Sequence, residues 1–156
     1  EPDAAAALAA GDAYWDGFLA EMSPCDGVEP AFDALDAAGI DVAVVTNLTT
    51  RIQLRKLTAL GVDDRIDLLV TSEEVGREKP SAIPFTTALA AFDLRPSEAL
   101  MVGDNVGADV AGANAVGMDT ALFVADGETP AVDELDGDRR PDHRLDAFAD
   151  LTEVAA

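Results

Sequence analysis

Residues 101–118 read MVGDNVGADVAGANAVGM, and the fold follows from how this stretch divides. With Ala99 and Leu100 ahead of it, ALMVG (99–103) is a short apolar run without polar alternation, the pattern of a strand buried on both faces. Gly103-Asp104-Asn105 interrupts it, and the small residues of 106–116 predict a helix that stops at Gly117. A strand, a polar turn and a helix in such close order are half of a βαβ unit.

Outward from this stretch the rhythm repeats. Upstream, Pro30 opens a predicted helix carrying Phe32 and Leu35, ended by Gly39. The β-branched run 40–46 (IDVAVVT) predicts a buried strand, and 48–60 a helix with Leu57 and Leu60 inward, stopped by Gly61. Residues 66–71 (IDLLVT) form the next strand, and Ser81 caps a helix with Phe85, Ala88, Leu89 and Phe92 on one face. Downstream come a strand over 120–124, an exposed loop over 126–142 with seven acids, a short strand at 143–145 and a helix over 147–154. Residues 1–22 are helical in two pieces, an Ala/Leu run to Gly11 and then a piece with Tyr14, Trp15, Phe18 and Leu19 at helical spacing. The fold class is α/β: a Rossmann-like, mostly parallel sheet with helices on both faces. In such sheets ligands sit at the carboxyl ends of the strands.

Composition narrows the function. The 156 residues suit one ordinary domain, with 49% apolar content of which 30 residues are alanine. No apolar stretch is long enough for a membrane span, no secretory signal is evident, and the single Cys25 excludes an internal disulfide or a multi-cysteine zinc site; a cytoplasmic location is expected. Thirty-one acids against ten bases give a net charge of -21, which repels phosphate backbones and disfavours nucleic-acid binding. Rich in Asp and Ala and nearly free of lysine, the composition resembles proteins of salt-accumulating haloarchaea, where salt screens the self-repulsion.

Three strand ends carry candidate chemistry. Thr46-Asn47 precedes a helix, where a hydroxyl and free amides seat an anionic oxygen or simply cap the helix. Asp104 and Asp109, five apart, can turn toward one point; two such carboxylates need a cation between them, and hard oxygen ligands suit Mg2+, or else they are a cap and a dipole-favoured surface acid. Lys79, one of two lysines, lies in Arg77-Glu78-Lys79-Pro80, where a compact point charge serves a phosphoryl oxygen or a buried carboxylate; a solvated loop lysine is the plainer alternative. His143 and Cys25 have no partner motif, and Tyr14 and Trp15 are expected to pack among helices.

Taken in order, VVTN (44–47), REKPSAIPF (77–85) and MVGDNVGADVAGANAVGM (101–118) resemble the second to fourth motifs of the haloacid dehalogenase-like (HAD) hydrolase superfamily. The resemblance covers about 27–156, including the approach GVEPAFDALDAAGIDVAVVTN (27–47). It implies that Thr46 and the Asn47 backbone hold a transferring phosphoryl group, that Lys79 neutralises it, and that Asp104 ligates Mg2+ with Asp109 in support. The implied reaction is Mg2+-dependent hydrolysis of a small phosphorylated substrate, with metal-free haloacid dehalogenation and a non-catalytic metal- or phosphate-binding or assembly domain as alternatives.

One motif of the family is missing. Members begin with a strand ending Asp-x-Asp that supplies the nucleophile, and no such strand is present; Asp12 and Asp16 lie four apart on a helix and are not assigned that role. Residues 1–26 resemble the end of the helical cap that members insert after that strand, and 27–156 the core without its first strand, while the C-terminal end looks complete. The missing strand would lie between those ending at Gly103 and Thr46. The expectation is a chain inactive by itself, whose gap belongs to a longer hydrolase, is filled by another copy through strand exchange in a homo-oligomer, or is closed by the two strands meeting.

Overall fold

The computed structural model describes residues 3–124 and 134–154. Among these residues, five strands, β1 (Ala43–Thr46), β2 (Leu68–Thr71), β3 (Leu100–Gly103), β4 (Asp119–Phe123) and β5 (His143–Leu145), all pair in parallel. Seven α-helices accompany them: α1 (Ala4–Ala20), α2 (Val28–Ala38), α3 (Thr50–Leu60), α4 (Ser72–Val75), α5 (Ala82–Ala91), α6 (Ala111–Val116) and α7 (Leu151–Val154). The alternating α/β order expected from the sequence is present, and part of the predicted 126–142 loop (125–133) lies outside the described residues.

The strands fall into two sheets, β1-β2 and β3-β4-β5, and β1 and β3 do not pair with each other. The sheet is therefore open where the sequence reading put the gap, and closure of the two strands is ruled out in this structure. Helices α2 and α5 bridge the opening. On one face, Phe32 of α2 packs with Leu57 of α3 and Val44 of β1, while Leu35, one turn along, packs with Ala121 and Leu145 of the other sheet and with Leu151 of α7. On the opposite face Phe85 and Leu89 of α5 are buried, and α5 lies against β1, β2 and α6. Between these four walls runs a cleft of about 660 Å³.

Burial reports the same opening. β4, flanked on both sides, has Thr120, Ala121 and Leu122 at 0% exposure. β1 and β3 are as apolar, yet all four residues of each are only half-buried. A strand of AVVT or LMVG composition belongs in a sheet interior, and here each has one unflanked edge.

Several boundaries differ from the sequence reading. α2 starts at Val28, after Gly27 in the left-handed region (φ 88°), so Pro30 is inside the first turn. β1 begins at Ala43, because Ile40 and Asp41 turn back from α2 and Val42 N–H is held by the Asp67 carboxylate at 2.8 Å. α1 is one continuous helix: its alanines carry it through Gly11, where the tertiary structure imposes no break. It buries no residue. Tyr14, expected to pack, is 65% exposed, and its ring meets Trp15 and Phe18 of the same helix.

Candidate active site

The carboxyl ends of β1 and β3 converge at one end of the cleft, bringing Thr46, Asn47, Asp104 and Asp109 together with Lys79 from the loop before α5. The five residues singled out in the sequence thus share one locality, although they come from three separate segments.

Lys79 is its centre. Its side chain is 9% exposed and that of Asp109 is 8% exposed, and the ammonium donates to Asp109 Oδ1 at 2.6 Å. It donates a second bond, also 2.6 Å, to the carbonyl of Val45 in β1. The ammonium therefore ties the end of one sheet to the end of the other across the cleft. This is neither a solvated loop lysine nor a surface acid, the plainer alternatives for these two residues. An ammonium has three N–H donors, so one remains for a ligand.

Asp109 is seated by an unusual turn. Residues Val106–Val110 form a π-helical turn ahead of α6, in place of the uniform helix expected there, with Val110 N–H reaching back to Asn105 C=O at 3.3 Å. Such turns occur often at functional sites. Asn105 caps it, its Oδ1 accepting from Gly107 N–H (3.0 Å) and Ala108 N–H (2.8 Å). Asp109 Oδ2 accepts from Asn105 N–H at 3.1 Å, so both carboxylate oxygens are engaged. Gly103 makes room: a Cβ there would stand 2.6 Å from Asp109 Cβ. Asp104, one residue on, is exposed, and no described hydrogen bond or ion pair engages its carboxylate.

This arrangement sharpens the reading of the acid pair. Asp104 and Asp109 do not share one point equally, because Asp109 is committed to Lys79 and Asn105. No group of three or more His, Cys, Asp or Glu side chains that could cage a metal exists among the described residues. One free carboxylate still fits Mg2+, which is commonly held through one or two carboxylates with waters and phosphate oxygens completing its shell.

Thr46 is half-buried and its Oγ1 accepts from Leu48 N–H at 3.2 Å, leaving the hydroxyl proton free to donate. The start of α3 is less available than its sequence implies: Thr50 N–H is taken by Glu73 Oε2 at 2.9 Å, and Thr50 and Thr71 hydroxyls meet at 2.7 Å. Glu73 and Thr71 escaped sequence reasoning because their sites form only when β1 and β2 pair at Thr46 and Thr71. Asn105 had a visible signal, an Asn directly before a helix. Asp12 and Asp16 do not line the cleft; they pair with Arg51 (3.1 Å) and Arg55 of α3.

A family model for haloacid dehalogenase-like hydrolases matches residues 10–123. The chain belongs to the haloacid dehalogenase-like hydrolase family. Within this family, it is 48% identical over 153 residues to a ribulose-1,5-bisphosphate 5-phosphatase of Halopiger xanaduensis, covering 96% of this chain and 64% of the relative. It is 32% identical to a glyceraldehyde 3-phosphate phosphatase of Methanopyrus kandleri, covering 99% and 66%. A solved structure of a predicted phosphoglycolate phosphatase from Haemophilus somnus superposes with a TM-score of 0.80 at 27% identity, covering 92% of this chain and 62% of that one. The chain thus spans just under two thirds of the length of these HAD proteins.

No described helix is long and apolar enough to cross a membrane.

Proposed function

We propose that this chain is the larger part of a Mg2+-dependent phosphatase acting on small sugar phosphates, and that residues 1–26 belong to a helical cap and 27–156 to the catalytic core. The observation that carries this reading is the open slot between β1 and β3, whose polar end is lined by Lys79, Asp104 and Asp109, with Thr46 next along β1 from the lining Val45. A strand entering the slot would satisfy the edges of both neighbours and deliver a carboxylate to the group of residues at its end. The named activities of the two curated relatives favour a phosphorylated sugar or triose as substrate.

In this reading each residue has a physical task. The Thr46 hydroxyl and the Asn47 N–H, which has no acceptor among the described residues, donate to phosphoryl oxygens. Lys79 places its remaining donor and its charge beside the transferring group, where positioning and neutralisation supply most of the catalysis. Asp109 keeps the ammonium oriented. Asp104 offers the free carboxylate for Mg2+, whose chemistry is to neutralise phosphoryl charge. The nucleophilic carboxylate comes from the inserted strand: it would attack phosphorus as the P–O bond to the sugar breaks and the sugar leaves as its alcohol, and water would then hydrolyse the aspartyl phosphate to free carboxylate and inorganic phosphate. Metal-free dehalogenation would leave the exposed Asp104 without a task.

The test is hydrolysis of an aryl phosphate in concentrated KCl, with and without Mg2+. A protein that carries this chain together with the inserted strand should turn over only with Mg2+, and Asp104→Asn should abolish it. The 156 residues alone should show no more turnover than their Asp104→Asn variant. Turnover by the isolated chain above that control would place the nucleophile within it and refute the shared-site reading.

A further inference from the structure

The amide of Asn47 makes a contact that its assignment to phosphoryl binding does not explain. Asn47 is exposed in the turn after β1, and its side chain pairs with the main chain of one residue, Lys79, 32 positions later. Asn47 Oδ1 accepts from Lys79 N–H at 2.7 Å, and Asn47 Nδ2 donates to Lys79 C=O at 3.0 Å. A carboxamide carries the same donor and acceptor as a peptide group, so it grips Lys79 as a neighbouring strand would. The ammonium of the same residue is held by Val45 C=O, two residues before Asn47. Segment 45–47 therefore fixes Lys79 at both ends, backbone and Nζ.

We propose that the Asn47 carboxamide is a positioning group for Lys79, setting where its ammonium lies between the two sheets and at the cleft end. The inference deepens the proposed function, since it rests on Lys79 being the charge-neutralising group there. It also separates the two halves of Asn47: the backbone N–H faces the phosphoryl group, and the side chain faces Lys79. Of the small polar residues, Asn alone fits the geometry. Asp has the same shape but turns an oxygen toward the Lys79 carbonyl, and Ser is too short to reach both groups.

A staple that merely tied down the loop would leave the ammonium in place, because Val45 and Asp109 still hold it. The ammonium is therefore the quantity to measure. The chain has only two lysines, so 15N-lysine labelling yields two side-chain signals, with Lys56 of α3 as internal reference. In the native chain the Lys79 ammonium protons should exchange slowly with solvent. In Asn47→Ala and in the isosteric Asn47→Asp they should exchange about tenfold faster, in line with the loss of one to two hydrogen bonds. Lys56 should be unmoved and the circular dichroism native. Native exchange and shift of Lys79 in both folded variants would overturn the proposal. The function is read separately: if the protein carrying the inserted strand shows no Mg2+-dependent hydrolysis while the lysine signals respond as expected, the phosphatase reading fails and the positioning contact stands.

Discussion

At the scale of single residues, the Lys79–Asp109 pair sets the strongest expectations. Both side chains are buried, so removing one partner leaves an uncompensated charge, which costs about 3–5 kcal/mol in such settings. Lys79→Met and Asp109→Leu should each lower the unfolding free energy by about that amount, while the double variant should cost much less than their sum. Denaturant unfolding of the four proteins measures it, and additive losses would show that the two groups do not depend on each other. Gly103 adds a second test. A methyl group there would displace the whole Asp109 side chain, since Cβ as well as the carboxylate lies in its path. Gly103→Ala should therefore destabilise by about 2–3 kcal/mol. On that background Lys79→Met should cost little more, because the ion pair is already broken. An undiminished effect of Lys79→Met would mean that Asp109 adapts to the methyl group.

At the scale of elements, α1 and α5 make an informative contrast. Both are apolar and alanine-rich, but α5 buries Pro84, Phe85, Ala88 and Leu89 whereas α1, seven residues longer, buries none. α1 is held to α3 by the Arg51–Asp12 and Arg55–Asp16 pairs, both exposed enough to contribute at most about 1 kcal/mol each. Amide exchange should therefore be orders of magnitude faster in Ala4–Ala20 than in Ala82–Ala91, and the Arg51→Ala/Arg55→Ala variant should speed it further without moving the melting temperature of the core. Equal protection in the two helices would show that α1 has a packed partner. The same contrast marks what the sequence conveys. Parallel strands were legible because Val44-Val45 and Leu100–Val102 are apolar without alternation, and the stops at Gly39, Gly61 and Gly117 were visible because each glycine takes a positive φ. The exposure of α1, the π-helical turn under Asp109 and the engagement of Thr50 by Glu73 were not legible. The Thr50–Glu73 bond joins segments 23 residues apart and the exposure of α1 depends on which segments meet it, so local spacing carries no record of either; the π turn is a local shift of one hydrogen bond, Val110 N–H to Asn105 C=O, that small-residue spacing does not distinguish from an α-helix. The five site residues could be listed, but the division of labour between Asp104 and Asp109 needed the position of Lys79.

At the scale of the whole molecule, the charge decides the conditions in which the fold is stable. A surplus of 21 negative charges acts on all carboxylates at once, whereas attraction is confined to seven ion pairs among the described residues. In six of these the acid is at least 40% exposed, so salt removes little stability by weakening them. The seventh, Lys79–Asp109, is buried and screened far less. Repulsion is therefore the larger salt-sensitive quantity, and KCl should stabilise the chain. Between about 0.1 M and 1 M the screening length falls from about 10 Å to about 3 Å, shorter than most separations between surface charges. The melting temperature should rise by about 5 °C or more over that range and then level off. A temperature that stays flat or falls with KCl would show that the acids are not the limiting strain on this fold. A rise that continues undiminished well beyond 1 M would have a different cause, exclusion of salt from the protein surface, and it would persist when exposed Asp residues outside the ion pairs, such as Asp41 and Asp64, are replaced by Asn, whereas the screening part would shrink with each charge removed.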